Sequence, residues 1–301
     1  MLGAIHIKNP PALHTEHRPE EADAPKGVEY EERIVAFIDI LGFKEIIARS
    51  VNDPTLVRQI HNALDIQNDE LASHYAAEIG VSRSPEEFSE RFHTFSDCIV
   101  MSVSNDAEEL GLLIFMAFKV CRQLLHAGFL TRGGIASGKL LHRAPSGADK
   151  AAYEHSPMVF GPAFNDAYTL EANHADGARV ILQNAVRKKI NDYCERNNSS
   201  RLCEFFRTHI KRAGDGPAYI NLFADFPGNS FYGPSSDVTS NIQEIHQGLQ
   251  NALNGSTDRP TQFRKNAMLA TQFNKAIERA CEINHALSTY AMDPSILPRA
   301  D

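Results

Sequence analysis

The chain has 301 residues, 43% of them hydrophobic, enough to bury one large core, so one main domain with extensions is expected. Thirty Lys and Arg against 38 Asp and Glu leave a net charge of −8, which excludes a general nucleic-acid surface; any phosphate site must be local. The five cysteines (Cys98, Cys121, Cys194, Cys203, Cys281) contain no C-x-x-C, and no apolar run approaches the roughly 18 residues of a spanning helix, so disulfide, zinc and membrane architectures are not expected. With no positive-then-apolar leader, a cytoplasmic protein is the expectation.

Residues 1 to 30 carry four prolines and three histidines without periodicity and read as a flexible arm. RIVAFIDI is a strand, a helix follows over 43–49, and a second helical stretch covers 54–75. FHTFSDCIVMSVS, 92–104, is a hairpin with Asp97 at its tip, and AEELGLLIFMAFKVCRQLLH is an apolar core helix opened by Asn105-Asp106 and closed by Gly128. FLTRGGIASGKLLH is a strand, and a Pro/Gly/Ser/Ala loop occupies 144–156. MVFGPAFNDAYTLEANHA is a turn entering a helix, ARVILQNAVRKKI a short strand then a helix, and FFRTHIKRAGDGPAYINLF two strand-like arms around a glycine turn. After 226 come two amphipathic helices, one with Ile242, Ile245, Leu249 and Leu253, the other with Phe273, Ile277, Ala280 and Leu287. This order predicts an α+β fold, a sheet faced by helices, divided into the arm, a main domain over 31–225 and a helical extension over 226–301.

Asp39 sits between Ile38 and Ile40 on a strand bound for the interior, where a lone carboxylate costs several kcal/mol. A buried salt bridge or a metal ion must answer it. Asp97 alone would read as a turn-forming aspartate, but a hairpin folding beside the first strand would set two carboxylates together, and the usual relief is a divalent cation. Mg²⁺ takes one or two carboxylates plus substrate phosphates, so such a pair suits a nucleotide-bound metal. The strand-to-helix turn from Ile40 to Phe43 offers free N–H groups to phosphates.

Four segments together resemble the class III nucleotidyl cyclases over roughly residues 30 to 225. FIDILGF is similar to the family's F-x-D-I-x-G-F, TFSDCIV to the hairpin with its second metal aspartate, TRGGIASGKLL to R-x-G-I-x-x-G, and MVFGPAFNDAYTLE to D-x-W-G-x-x-V-N-x-A-x-R-L-E. The resemblance implies a ferredoxin-like cyclase fold with extra C-terminal helices and a head-to-tail homodimer whose active sites are composite, acids from one chain and the asparagine segment from the other. It implies two divalent ions per site, Mg²⁺ or Mn²⁺, bound by Asp39, Asp97 and the Ile40 carbonyl, with the Leu41, Gly42, Phe43 and Lys44 amides and Lys139 on the triphosphate and Asn165 near the ribose.

Three features depart from the family pattern. His93 and Met158 replace both purine-discriminating residues, Thr169 stands where the transition-state arginine would be, and Asp215 sits in a turn where lysine is common. Arg132, Lys211 and Arg212 are candidates for the missing cation, Arg132 foremost. Intact aspartates with an altered base pocket resemble the pyrimidine (uridylate and cytidylate) cyclases of the bacterial Pycsar anti-phage defence system. That implies UTP as substrate, with CTP the alternative, Met158 and Phe95 filling space around a smaller base, and a cyclic nucleotide read by a separate effector. A diguanylate-cyclase-like or polymerase-like enzyme is the first rival, without the expected G-G-D/E-E-F hairpin; a degenerate nucleotide-binding cyclase domain is the second.

Overall fold

A computed structural model describes residues 29–66, 73, 75–77, 79–80, 91–143, 158–214, 216–226 and 236–296. The expected arm up to residue 28, the loop over 144–156, Asp215 and the Pro/Gly/Ser stretch after 226 lie outside these residues.

The first strand, β1 (Glu31–Ile40), is apolar on both faces because both are covered. Ile34, Ala36, Ile38 and Ile40 enter the large core, whereas Val35 and Phe37 enter a smaller cluster with Val100, Ala136, Leu140, Ala163 and Ala167. Gly42, at φ 71° in the left-handed region, turns the chain into α1 (Phe43–Ser50), and Asp53 caps α2 (Pro54–Leu64) by accepting from the Thr55 and Leu56 amides. The helix expected over 54–75 therefore stops at Leu64, where the Asp65 amide bonds the His61 carbonyl.

The hairpin forms as expected, β2 (Phe92–Phe95) and β3 (Cys98–Ser104), with Ser96 at φ 55° in the two-residue turn beside Asp97. Asp106 caps α3 (Ala107–His126), whose buried residues surround its axis because the sheet covers one side and the C-terminal helices another. Strand β4 (Thr131–Arg143) follows, then β5 (Met158–Phe160), α4 (Pro162–His174), β6 (Val180–Leu182), α5 (Asn184–Arg196), α6 (Arg201–His209), β7 (Ile210–Arg212) and β8 (Ala218–Ile220). The main sheet runs β2-β3-β1-β4-β6-β8-β7, with β4 and β6 parallel, its other described pairs antiparallel, and β5 paired to the end of β4. This is an α+β fold, a mixed sheet faced by helices.

The two glycines of R-G-G-I exist for close approach. A Cβ on Gly133 would stand 2.5 Å from the Phe37 carbonyl oxygen, and one on Gly134 2.2 Å from that of Ala167, so α4 lies against the sheet only over a bare backbone.

Two expectations need correction. The arm expected from Phe205 begins only at Ile210; FFRTH is the end of α6, which Ser200 caps, with Leu202, Phe205, Phe206 and His209 on its buried face. Leu287 is not on the second amphipathic helix, which ends at Cys281, but on a 3₁₀ turn, His285–Tyr290, folded back on it. The helices α7 (Ser236–Asn254) and α8 (Pro260–Cys281) bury Ile242, Ile245, Leu249, Leu253, Phe273, Ile277 and Ala280 in the same core cluster as α3.

Candidate active site

Strand register sets one row of side chains across the sheet. Phe95 pairs Cys98, Cys98 pairs Asp39, and Asp39 pairs Arg132, so these four residues share a face at the end of β1. Asp97 is tied to the same end, because the Ile40 amide donates to the Asp97 carbonyl at 2.8 Å. Charges of both acids are felt at Cys98, whose thiol burial and these carboxylates hold above its usual range. The two acids are therefore neighbours, drawn together by one hairpin.

Asp39 is 22% exposed and meets Arg132 Nε at 3.4 Å. Arg132 is shared: its Nε also contacts Glu171, a 4% exposed carboxylate on α4. Burial raises the Asp39 carboxyl above the usual range; Arg132 and Lys265 pull it down, Asp97 pushes it up, and the net shift is upward. Glu171 is likewise raised by burial, with Arg132 opposing. Both alternatives for Asp39 thus bear on it: a salt bridge exists, yet burial still holds the Asp39 and Glu171 carboxyls above their usual range.

Lys265 and Glu171 were not visible as site residues in the sequence. Lys265 belongs to α8, whose Gln262 side chain lies against the Gly42 turn, and Glu171 looks like any acid of an amphipathic helix. Only packing brings them to Asp39.

The expected phosphate cradle needs one correction. The Leu41 amide donates to the Leu130 carbonyl at 2.8 Å and is not free to take phosphate, while Gly42, Phe43 and Lys44 begin α1, where amides have no helical acceptor. Lys139 is exposed and pairs Glu32, seven residues along β4 from Arg132 and roughly 23 Å away at strand rise. Within one chain it does not join Asp39. Asn165 and Thr169 lie on the outward side of α4, both exposed.

His93 and Phe95 share the Asp39 face, with ring centroids 5.8 Å apart. The end of β4 brings His142 to within 4.8 Å of His93, and Met158, paired with Arg143, arrives on the adjoining strand β5. The His142 Nδ1 bonds the Ser102 hydroxyl at 2.7 Å, and Arg33 Nε donates to that hydroxyl at 3.1 Å. Among the described residues, the buried Nε2 atoms of His93 and His142 have no hydrogen-bond partner. His142 is a further residue that sequence reasoning missed.

No protein-family model and no curated protein matches the chain. Among solved structures it is similar to a class III adenylyl cyclase-like ATP-binding protein from Pseudomonas aeruginosa, at 13% identity and TM-score 0.36 over 86% of this chain and 72% of that one. The chemistry of the site has therefore to be read from this chain's own residues.

Among the described residues no group of three or more His, Cys, Asp or Glu side chains forms a metal cluster. Two adjoining carboxylates, one of them partly buried, nevertheless match a cation that takes its remaining ligands from substrate phosphates and water. No helix among the described residues is long and apolar enough to cross a membrane.

Proposed function

We propose that the chain is a divalent-metal-dependent nucleotidyl cyclase of the class III kind, acting on a pyrimidine nucleoside triphosphate, UTP before CTP, and releasing pyrophosphate. The observation that carries this reading is the adjacency of Asp39 and Asp97 at the end of β1, directly before the α1 N-terminus. When bound, Mg²⁺ or Mn²⁺ on Asp39, Asp97 and the Ile40 carbonyl would supply activation of the ribose 3′-hydroxyl and charge neutralisation at the triphosphate.

The chain's residues would do the rest. The Gly42, Phe43 and Lys44 amides would bind phosphate oxygens. Arg132 would position Asp39 by tying it to Glu171, not meet the phosphates itself, and Lys265 supplies the further positive charge felt at both acids. Phe95 would bound the base, whereas Met158, set by its pairing with Arg143 on the face away from His142, would not; the Nε2 atoms of His93 and His142, with no hydrogen-bond partner among the described residues, would offer hydrogen bonds to a polar base edge. Asn165, outward on α4, would act in the site of a second copy, as would Lys139. Exposed apolar side chains on this side support such an assembly: Phe95 and Tyr168 are each at least 40% exposed. A cyclic pyrimidine nucleotide read by a separate effector in anti-phage defence would be the product's role.

Incubating purified protein with each nucleoside triphosphate and Mn²⁺, with products identified against authentic cyclic nucleotides, tests the reading. Cyclic UMP is expected, cyclic CMP would shift the base, and nucleotide binding without turnover would favour a degenerate domain. Asp39→Ala or Asp97→Ala should lower turnover by at least about a thousandfold while leaving the circular dichroism spectrum intact; substantial residual activity would defeat the metal assignment.

A further inference from the structure

Between α6 with β7 and β8 on one side and α8 on the other lies a cleft of about 570 Å³, within the usual size range for small-molecule sites. Its walls carry Arg207, Lys211, Arg212, Lys275 and Arg279 against the single carboxylate of Glu204. Glu204 is itself engaged with Arg201, at 3.3 Å. In a chain of net charge −8, five cations meeting one acid is the reverse of the overall balance.

The cations are placed there by the end of α6 with strand β7 on one side and by α8 on the other. Arg207 and Lys211 follow one another along α6 into β7, and Lys275 and Arg279 are one turn apart on α8. Their own contacts are mostly to main-chain oxygens: Lys211 Nζ donates to the Arg207 carbonyl at 3.0 Å and Arg212 Nε to the Gly216 carbonyl at 3.2 Å. Lys211, Arg212, Lys275 and Arg279 form no ion pair with a carboxylate among the described residues. Burial and the charge of Arg279 hold the Lys211 ammonium below its usual range. Like charges held together in a recess repel, and a multiply charged anion relieves that repulsion best.

We propose that this cleft binds a small phosphate-bearing polyanion. The planar forks of Arg207, Arg212 and Arg279 suit phosphate oxygens, Lys211 and Lys275 add point charges, and Tyr219 and Asn221 line the wall. The recess is distinct from the acidic site: Lys275 is ten residues beyond Lys265, about 15 Å further along α8. The proposal does not depend on the cyclase reading.

Calorimetric titration of the full chain with sodium tripolyphosphate, in EDTA and at constant ionic strength, tests it. Wild type and Asp39→Ala should bind alike, whereas Lys275→Gln/Arg279→Gln should bind at least about tenfold more weakly. That double variant should melt no lower than wild type in buffer, since repulsion is removed, and lose the upward melting shift that tripolyphosphate gives wild type. Lys211→Gln, on the opposite wall, provides an independent weakening should the double variant misfold. Competition with UTP identifies the source: displacement points to a nucleotide, and none to an inorganic polyphosphate, both consistent with the site. The proposal is overturned if wild type shows no saturable binding, if the cleft variants bind as tightly as wild type, or if Asp39→Ala abolishes binding.

Discussion

At the scale of the residue, buried charge and buried imidazole carry the consequences. His142 is held neutral, its pKa pushed down to about 3 by burial and by the nearby charges of His93, Arg33 and Arg91; His209, stacked on Phe205 at 4.0 Å, is pushed down to about 4, again by burial. Both fall below the unfolded value near 6.5, so the native state binds fewer protons than the unfolded chain. Their contribution to stability is full above pH 6.5 and is lost as pH falls toward 4 and 3. Urea unfolding at pH 7, 6 and 5 should show each histidine contributing up to about 1.4 kcal/mol per pH unit below 6.5. His142→Asn should remove one of the two contributions; an unchanged slope would mean that His142 does not titrate with folding. Asp39 was legible as an anomaly because an acid inside an apolar strand violates the local pattern. His142 was not, since a histidine after two leucines marks nothing until a second histidine faces it.

At the scale of the element, the readable features were those that repeat locally. The apolar run of β1, the cap at Asp106, and the 3.6-residue periods of α7 and α8 depend on neighbours within a few positions. The reading of FFRTH as a strand went wrong because aromatic and β-branched residues favour strands, while the Ser200 cap and the buried face of α6 overrode that propensity. Elements are then fastened by pairs that no local pattern announces. Arg122 on α3 makes a bidentate pair with Asp225 at 2.7 and 3.1 Å and also donates to the Leu222 carbonyl, between the rings of Phe118 and Phe226. Asp225→Ala should cost about 3–5 kcal/mol in chemical denaturation, because it strands a guanidinium in the core. Arg122→Met/Asp225→Leu should recover most of that loss; a double variant no better than the single would show that the pair itself supplies the stability.

At the scale of the whole molecule, the Asp39 face of the sheet is only partly covered. Helix α4 spans β1 and β4, with Phe37 packed on Phe164 and Tyr168, while Phe95 remains 47% exposed. Asn165 lies on the exposed side of α4, so the proposed reaction would draw it from a second chain. Mixing Asp39→Ala with Asn165→Ala protein should restore up to about a quarter of wild-type activity at equal mixing, from one intact composite site in each mixed dimer. Absence of recovery despite demonstrated subunit exchange would place the whole site on one chain.

Read alone, the amino-acid order determined that the protein has an α+β core, where its main strands and helices begin, and that Asp39 and Asp97 are the acids demanding explanation. Those properties follow from periodicity, capping and charge in an apolar run, which act over a few residues. Only the tertiary structure decided that Arg132 is tied to Glu171, that Lys265 approaches the acids, that the Leu41 amide is spent, and that five cations share one cleft. Each depends on which elements pack together. Hydrophobic patterning specifies that a face must be covered, but strand register and helix docking choose the cover, bringing Asp39 and Arg132 together across 93 positions of chain.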